Sequence, residues 1–165
     1  MTDVQAGDMR IAFESSRALA IGAAGEHIVC ADLLLQGHRA SIAAAQLSYD
    51  VVLDADGKLL RVAVKATTGA RVRPARTGSR PCYQFCITRT KAGNKRYTAL
   101  DVDIVALVAL DIRRVAYLAI SETTTIQHID SPHHPMGTNK FGPKRNVRKR
   151  FDDFPLRSAI SLVLP

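Results

Sequence analysis

The sequence predicts an α+β protein in which one long helix packs on a mixed β-sheet. Three observations support this class: an apolar stripe at helical spacing comes first, strand-like runs follow it, and turn signals separate those runs. With 165 residues, 47% of them hydrophobic, the chain can form one domain without a disulfide or a metal.

The first predicted element is a helix that begins at Ser15 or Ser16 and ends at Gly37. Serine is a favoured N-cap and glycine a favoured C-terminal stop. The segment 22–26, GAAGE, places two glycines shortly before an acid, Glu26. Each glycine lowers helix propensity by ~1 kcal/mol relative to alanine. Their placement predicts a close approach to another backbone; the alternative is a pair of simply tolerated glycines.

Strands are predicted after the helix, at residues 39–43, 48–53, 59–65, 83–88, 102–110 and 114–120, with a last short strand at 159–164. The segment 67–81 is predicted to be a mobile basic loop. These elements divide the chain into a loose leader (1–14), an α/β domain (15–126) and a basic C-terminal extension (127–165).

The segment 54–57, DADG, predicts a hairpin turn. If the strands pair symmetrically about Ala55 and Asp56, Asp50 lies opposite Arg61. Ser48 then lies opposite Ala63, and Gln46 lies opposite Lys65. One face of the hairpin then carries Gln46, Ser48, Asp50, Arg61, Ala63 and Lys65, while Leu60, Val62 and Val64 point to the core.

The charge distribution favours a polyanionic partner. The chain has 23 Lys and Arg against 15 Asp and Glu, a net charge of +8. Clustered cations release counterions from nucleic acid, so nucleic acid is the expected partner; a basic solvated surface or tail is the alternative. The clusters are Arg71, Arg73, Arg76 and Arg80; Arg89, Lys91, Lys95 and Arg96; and Lys140, Lys144, Arg145, Arg148, Lys149 and Arg150.

Three phenylalanines lie within or beside the last basic cluster: Phe141, Phe151 and Phe154. Aromatic side chains in a basic segment can stack on unpaired bases. They can equally anchor the segment to the body of the protein, which is the interpretation we prefer.

Asp50 and Lys65 fit the chemistry of phosphodiester hydrolysis. A carboxylate can hold a divalent cation such as Mg²⁺, which prefers oxygen ligands and activates a water. A nearby lysine can orient that water or offset developing charge. Glu26 is a second ligand if the helix lies over the sheet. The alternative is an ordinary cross-strand pair worth ~0.2–1 kcal/mol, with Glu26 in solvent.

The order of these residues resembles the PD-(D/E)XK nuclease superfamily, above all its group I intron homing endonuclease branch and also its archaeal Holliday junction resolvase branch. The resemblance covers Ile21 to Ile120. The similar segments are 22–26 (a GxxGE opening), Gly37, 49–52, 56–58, 61–65 and the later stretch from Tyr97 to Asp103.

This resemblance implies a restriction-endonuclease-like core, with Glu26 and Asp50 as ligands of Mg²⁺ (or Mn²⁺) and Lys65 as the catalytic lysine. It implies a metal-dependent DNA endonuclease that acts as a homodimer or higher homo-oligomer, because two strands need two sites. The superfamily's second acid is replaced by Ala63; the intron branch carries Gln there. Either another group, such as the Gln46 carbonyl oxygen, completes the site or catalysis has been lost.

Two rival functions remain. A catalytically inactive nuclease fold would still bind nucleic acid, and Ala63 favours it. A small α+β module could instead dock an acidic protein through its basic face. Nucleic acid should compete for binding if the chain is an endonuclease or an inactive nuclease fold, but not if it docks an acidic protein.

Other features are expected to be structural. Cys30, Cys82 and Cys86 predict reduced thiols, with a zinc site as the alternative. The histidines His128, His133 and His134 are predicted to lie in a loop and to bind no metal. The chain has neither a signal peptide pattern nor 18 consecutive uncharged apolar residues. It is therefore expected to be cytoplasmic, with no membrane partner.

Overall fold

The computed structural model describes residues 3–71, 81–89, 95–132 and 149–164, with side chains from residue 16 onward. In chain order, the elements are α1 (Asp3–Leu35), β1 (Arg39–Ile42), β2 (Val51–Ala55), β3 (Lys58–Thr67), β4 (Cys82–Cys86), β5 (Thr88–Arg89), β6 (Lys95–Arg96), β7 (Ile104–Ala109), β8 (Arg114–Ala119), β9 (Ile126–Asp130) and α2 (Leu156–Val163). Single turns of 3-10 helix cover Ile120–Glu122 and Phe151–Asp153.

The central sheet has five strands in the order β1-β2-β3-β7-β8. β3 and β7 are parallel, whereas the other neighbours are antiparallel. The predicted α+β class with a mixed sheet is confirmed. Two further strand pairs, β4–β9 and β5–β6, belong to the long crossover between β3 and β7 and to the chain after β8.

Apolar layers cover both faces of the sheet. On one face, Val29 and Leu33 of α1 share an apolar cluster with Leu156 and Ala159 of α2 and with alternate residues of β3: Leu60, Val62 and Val64. On the opposite face, Ala63 belongs to a second cluster, which includes Tyr83, Phe85, Tyr97, Ile129 and Phe151. The predicted alternation of β3 is confirmed, so Lys65 lies on the face away from the helices.

One face of the apolar helix α1 contributes to the core. Its segment Ser16–Leu35 is long and apolar enough, by composition alone, to cross a membrane. However, Gly25, Val29 and Leu33 are buried, and Asp32 accepts a 2.6 Å hydrogen bond from the Tyr117 hydroxyl. α1 therefore packs on the sheet through one face, while Leu19, Leu34 and Leu35 are exposed.

Gly25 lets α1 approach β3, as the sequence predicts. A Cβ atom at Gly25 would lie 2.7 Å from Ala66 Cβ and 3.3 Å from Val64 Cγ1. Gly22 differs, because a Cβ there meets nothing within 4 Å among the described residues. Only one of the two glycines is therefore required by packing.

Gly25→Ala is expected to lower the free energy of unfolding by about 1–2 kcal/mol, because overpacking outweighs the gain in helix propensity. Gly22→Ala is the matched control and should raise it by up to about 1 kcal/mol. Urea unfolding measures both. Equal shifts for the two variants would contradict the close contact between α1 and β3.

The β2–β3 hairpin turns at Asp56 and Gly57, whose φ angles are 53° and 83°. Positive φ at both positions is typical of a two-residue type I′ turn. Ala55 pairs with Lys58, so Arg61 lies opposite Val52. The predicted pairing of Arg61 with Asp50 is wrong by two residues, because the turn contains Asp56-Gly57 and not Ala55-Asp56.

Three predicted boundaries need correction. α1 begins at Asp3 and not at Ser15 or Ser16, since no proline interrupts the sequence and the helical backbone covers residues 3–14 of the predicted leader. β9 crosses the proposed boundary at 126–127 and pairs with β4, with Ile129 fully buried. The last segment is helix α2 and not a strand. Its apolar residues recur at helical spacing: Leu156, Ala159, Ile160 and Val163.

Aromatic residues anchor the end of the chain, which confirms the preferred interpretation of the tail. Phe151 and Phe154 are buried, and the Phe151 ring stacks edge-on against Tyr83 at 5.4 Å. Lys149 Nζ lies 5.1 Å from the centre of the Phe154 ring. Phe141 lies outside the described residues.

Candidate active site

Asp50 occupies the point where the β2–β3 ladder ends. Its backbone N–H donates to the Val62 carbonyl at 2.9 Å, and its own carbonyl accepts from Ala43 N–H at 2.9 Å. Its carboxylate Oδ2 accepts a hydrogen bond from Val64 N–H at 2.7 Å. Because a strand amide of β3 is bonded to this carboxylate and not to a backbone carbonyl, Asp50 is fixed beside β3.

Glu26 approaches Asp50 from α1. Its side chain is half-buried, one residue after the glycine that contacts β3. Burial raises the pKa of Glu26, the Asp50 carboxylate raises it further, and His27 opposes the shift. A carboxyl group whose pKa is raised by a neighbouring carboxylate is stabilised in its charged form by a cation nearby.

Lys65 approaches Asp50 from the opposite face of β3. Its ammonium donates to the Thr88 carbonyl at 2.9 Å and to the Tyr97 hydroxyl at 3.3 Å. Burial lowers the pKa of Lys65, and the negative charge of Asp50 opposes that shift. The Asp50 carboxylate therefore interacts electrostatically with the acid on α1 and with the lysine on β3.

A cleft of about 440 Å³ lies beside Lys65. Its walls carry the positive charges of Lys65 and Arg71 and the polar side chains of Thr67, Gln84 and Thr88. Of the three candidate residues, Lys65 thus lines a basic, polar concavity, whereas Asp50 and Glu26 are not among its lining residues. This combination suits a substrate that carries negative charge along an extended backbone.

The predicted nucleic-acid contacts are only partly described. Arg71 is exposed, lines the cleft, and exchanges backbone hydrogen bonds with Cys82. Lys149 and Arg150 are exposed beside the last 3-10 turn. The other predicted contacts lie outside the described residues: Arg73, Arg76, Arg80, Lys140, Lys144, Arg145 and Arg148.

Two cations of the second cluster serve the fold. Arg89 forms an ion pair with Asp101 at 2.6 Å, and Arg96 donates to the Thr123 carbonyl. Arg61 is likewise committed, since it forms a bidentate pair with Asp103 and donates to two backbone carbonyls.

Gln46 and Ala63 contribute no side chain to the site. Gln46 lies exposed in the turn that precedes β2, so its predicted position opposite Lys65 is wrong. Ser48, predicted opposite Ala63, instead donates to the Asp101 carbonyl at 3.0 Å. Ala63 itself is fully buried in the second cluster. No described side chain replaces the superfamily's second acid at this position of β3.

The donor set fits a hard divalent cation. Among the described residues, no three His, Cys, Asp or Glu side chains come together, which gives the zinc alternative for the cysteines no support. Mg²⁺ is often bound by only one or two carboxylates, with waters and substrate phosphates completing its shell. Asp50 and Glu26 would supply that number of oxygen donors.

The profile of the PD-(D/E)XK endonuclease family matches residues 18–154. The chain belongs to this family. The matched residues include Glu26, Asp50 and Lys65, so the resemblance expected from the sequence is confirmed at the level of the family.

Among solved structures, this PD-(D/E)XK chain is similar to that of a bacterial homing endonuclease, I-Ssp6803I. The TM-score is 0.56 at 17% sequence identity, and the likeness covers 87% of this chain and 91% of that chain. At this identity the likeness supports the fold, which is the predicted restriction-endonuclease-like core. No curated protein matches the chain significantly.

Two partners of Lys65 were not predicted. Thr88 and Tyr97 contact its ammonium from β5 and from the residue after β6. The stretch from Tyr97 to Asp103 did show similarity to the superfamily, which was a signal for its location but not for this contact.

Proposed function

We propose that this chain is a metal-dependent DNA endonuclease that hydrolyses phosphodiester bonds. The observation that carries the proposal is the position of Asp50, which interacts electrostatically with Glu26 from α1 and with Lys65 from β3. Membership of the PD-(D/E)XK endonuclease family supports the same reaction.

Asp50 and Glu26 would hold the cation, Mg²⁺ or Mn²⁺. When bound, the cation would supply a water of lowered pKa and polarise a phosphoryl oxygen. The Asp50 carboxylate is oriented by its hydrogen bond from Val64 N–H. The close contact of Gly25 with β3 would set how near Glu26 lies to that strand. These two restraints keep the carboxylates close before a substrate arrives.

Lys65 would offset negative charge that develops on the phosphoryl group. Its ammonium lies in a water-poor environment, where a charge acts more strongly than in bulk water. It also lines the cleft, so it can reach a phosphate that enters there.

DNA is the proposed substrate, bound partly by cations at the cleft. Phosphate contacts of this kind add affinity without sequence information. We also propose that the protein acts in the cytoplasm as a homodimer or higher homo-oligomer, because cutting both strands of a duplex requires two sites.

Arg71→Ala is expected to weaken DNA binding by a similar factor for all sequences and to reduce the salt slope of binding by about one. Fluorescence anisotropy at several salt concentrations measures this. Arg39→Ala is the control, because Arg39 is equally exposed but lies on β1 at the sheet edge. An equal loss of slope in both variants would contradict a DNA contact by Arg71.

A catalytically inactive nucleic-acid-binding protein is the second candidate. The buried Ala63 favours it, because the site has one acid fewer than the superfamily pattern. Under this alternative, DNA binding persists in EDTA and no strand is cut.

The test of the proposed function is incubation of supercoiled, linear and branched DNA with the protein in Mg²⁺, Mn²⁺ or EDTA. Cutting with either cation and none in EDTA is the expected result. Salt-sensitive binding without cutting of any of the three DNA forms would favour the inactive alternative.

A further inference from the structure

The Lys65 ammonium is contacted by Thr88 of β5 and by Tyr97, the residue after β6. Its Nζ lies 2.9 Å from the Thr88 carbonyl oxygen and 3.3 Å from the Tyr97 hydroxyl. The same nitrogen lies 5.0 Å from the centre of the Tyr97 ring. An ammonium has three donors, and an aromatic face attracts a cation at this range. Tyr97 thus contacts Lys65 through its hydroxyl and its ring.

Tyr97 is itself fixed. Its side chain is 8% exposed and belongs to the second apolar cluster. Burial, with a further contribution from Asp50, raises the pKa of Tyr97 to about 12. The hydroxyl is therefore neutral at physiological pH, so it can accept a hydrogen bond from the lysine without neutralising its charge.

An ion pair secures the backbone on both sides of Tyr97. Arg89 of β5 donates to Asp101 Oδ1 at 2.6 Å. The other oxygen of Asp101 accepts from Thr98 N–H at 2.9 Å and from the Thr98 hydroxyl at 2.8 Å. Thr88 pairs with Arg96 across β5–β6, and Tyr97 follows Arg96. The two residues that contact Lys65 are therefore connected through this strand pair.

We propose that Tyr97 is a positioning residue for Lys65, holding the ammonium at the wall of the cleft in the orientation that the phosphoryl group requires. The proposal rests on the proposed function of Lys65 and deepens it. Tyr83 shows what a purely structural tyrosine looks like in this protein. It is also buried, but its hydroxyl donates to Asp111 at 2.9 Å.

Tyr97→Phe tests the proposal, because it removes the hydroxyl and keeps the ring. We expect the single-turnover cleavage rate to fall about 10-fold or more, since small displacements of a reacting group cost up to about 100-fold. The Kd for DNA in EDTA should be unchanged. Tyr97→Leu, which also removes the ring, should cut more slowly still.

Tyr83→Phe is the matched control for loss of a buried, hydrogen-bonded hydroxyl. It should lower the thermal midpoint without lowering the cleavage rate. Cleavage by Tyr97→Phe at the parent rate would overturn the proposal. So would a rate loss that Tyr83→Phe reproduces at equal loss of stability, because the hydroxyl of Tyr97 would then serve only the fold.

A second readout needs no cleavage. In protein labelled with ¹⁵N-lysine, the Lys65 ammonium signal is assigned by its absence in Lys65→Arg. Tyr97→Phe should shift that signal, whereas Tyr83→Phe should not. An unshifted signal overturns the proposal even if the parent cuts no DNA. Absence of cleavage by the parent, with the shift present, counts against the proposed function and not against the contact.

Discussion

Asp50→Asn should reduce metal-dependent DNA cleavage by more than about 1,000-fold. Loss of one electrostatic group from an active site typically costs about 100- to 1,000-fold, and this variant also weakens the bound cation. The fold should persist, because the asparagine carbonyl oxygen can still accept the hydrogen bond from Val64 N–H. Plasmid nicking in Mn²⁺ measures the rate, and thermal unfolding checks the fold.

Asp56→Asn is the control for this change of charge. Asp56 lies in the turn of the same hairpin with a φ angle of 53°, a conformation that asparagine tolerates well. It should cut like the parent. If Asp50→Asn also cuts like the parent, Asp50 is not a ligand of the cation that drives the reaction.

Lys65→Ala should slow cleavage by about 100- to 1,000-fold while DNA binding persists. The variant removes the positive charge that faces Asp50 and leaves the Tyr97 hydroxyl without its lysine donor. Lys65→Met should behave alike, and it retains most of the buried aliphatic stem. Single-turnover rates measure the loss of cleavage, and the Kd for DNA in EDTA measures whether binding persists.

Lys58→Ala provides the comparison on the same strand, because Lys58 is exposed at the turn end of β3. It should leave the rate unchanged. Equal cutting by Lys65→Ala and the parent would remove Lys65 from the reaction and would remove the basis for a positioning role of Tyr97.

Local signals predicted the parts of the fold that depend on neighbouring residues. The Asp-Gly pair at positions 56 and 57 located the hairpin, and the period-2 pattern of β3 gave its buried face. The register was wrong by two residues because it depends on which pair occupies the turn. A shift of two preserves the face, so the side of the sheet assigned to Lys65 was correct.

The two ends of the chain were harder to predict. Helix α2 is only eight residues long, and its apolar run is short enough to suit a strand or a helix. Tertiary contacts favour the helix, since Leu156 and Ala159 pack into the same apolar cluster as Val29 and Leu33 of α1. β9 likewise depends on pairing with β4, which is far away in the sequence.

The sequence suggested the three candidate residues of the site, but not the residues that contact Lys65. Glu26, Asp50 and Lys65 were proposed because their order in the sequence resembles the superfamily's pattern, and the glycine at the close approach of α1 to β3 is visible in the sequence. The contact of Tyr97 with Lys65 joins residues 32 positions apart through the second layer. No local pattern encodes such a contact.

The central claim is that Glu26 and Asp50 together bind the cation that drives cleavage. The most direct test is the Mn²⁺ concentration that gives half-maximal cleavage by Glu26→Gln and by the parent. We expect this concentration to rise by at least about 10-fold in the variant, with cleavage recovering at high Mn²⁺, because the neutral amide is a weaker ligand than a carboxylate. The same Mn²⁺ dependence in both proteins would contradict the claim.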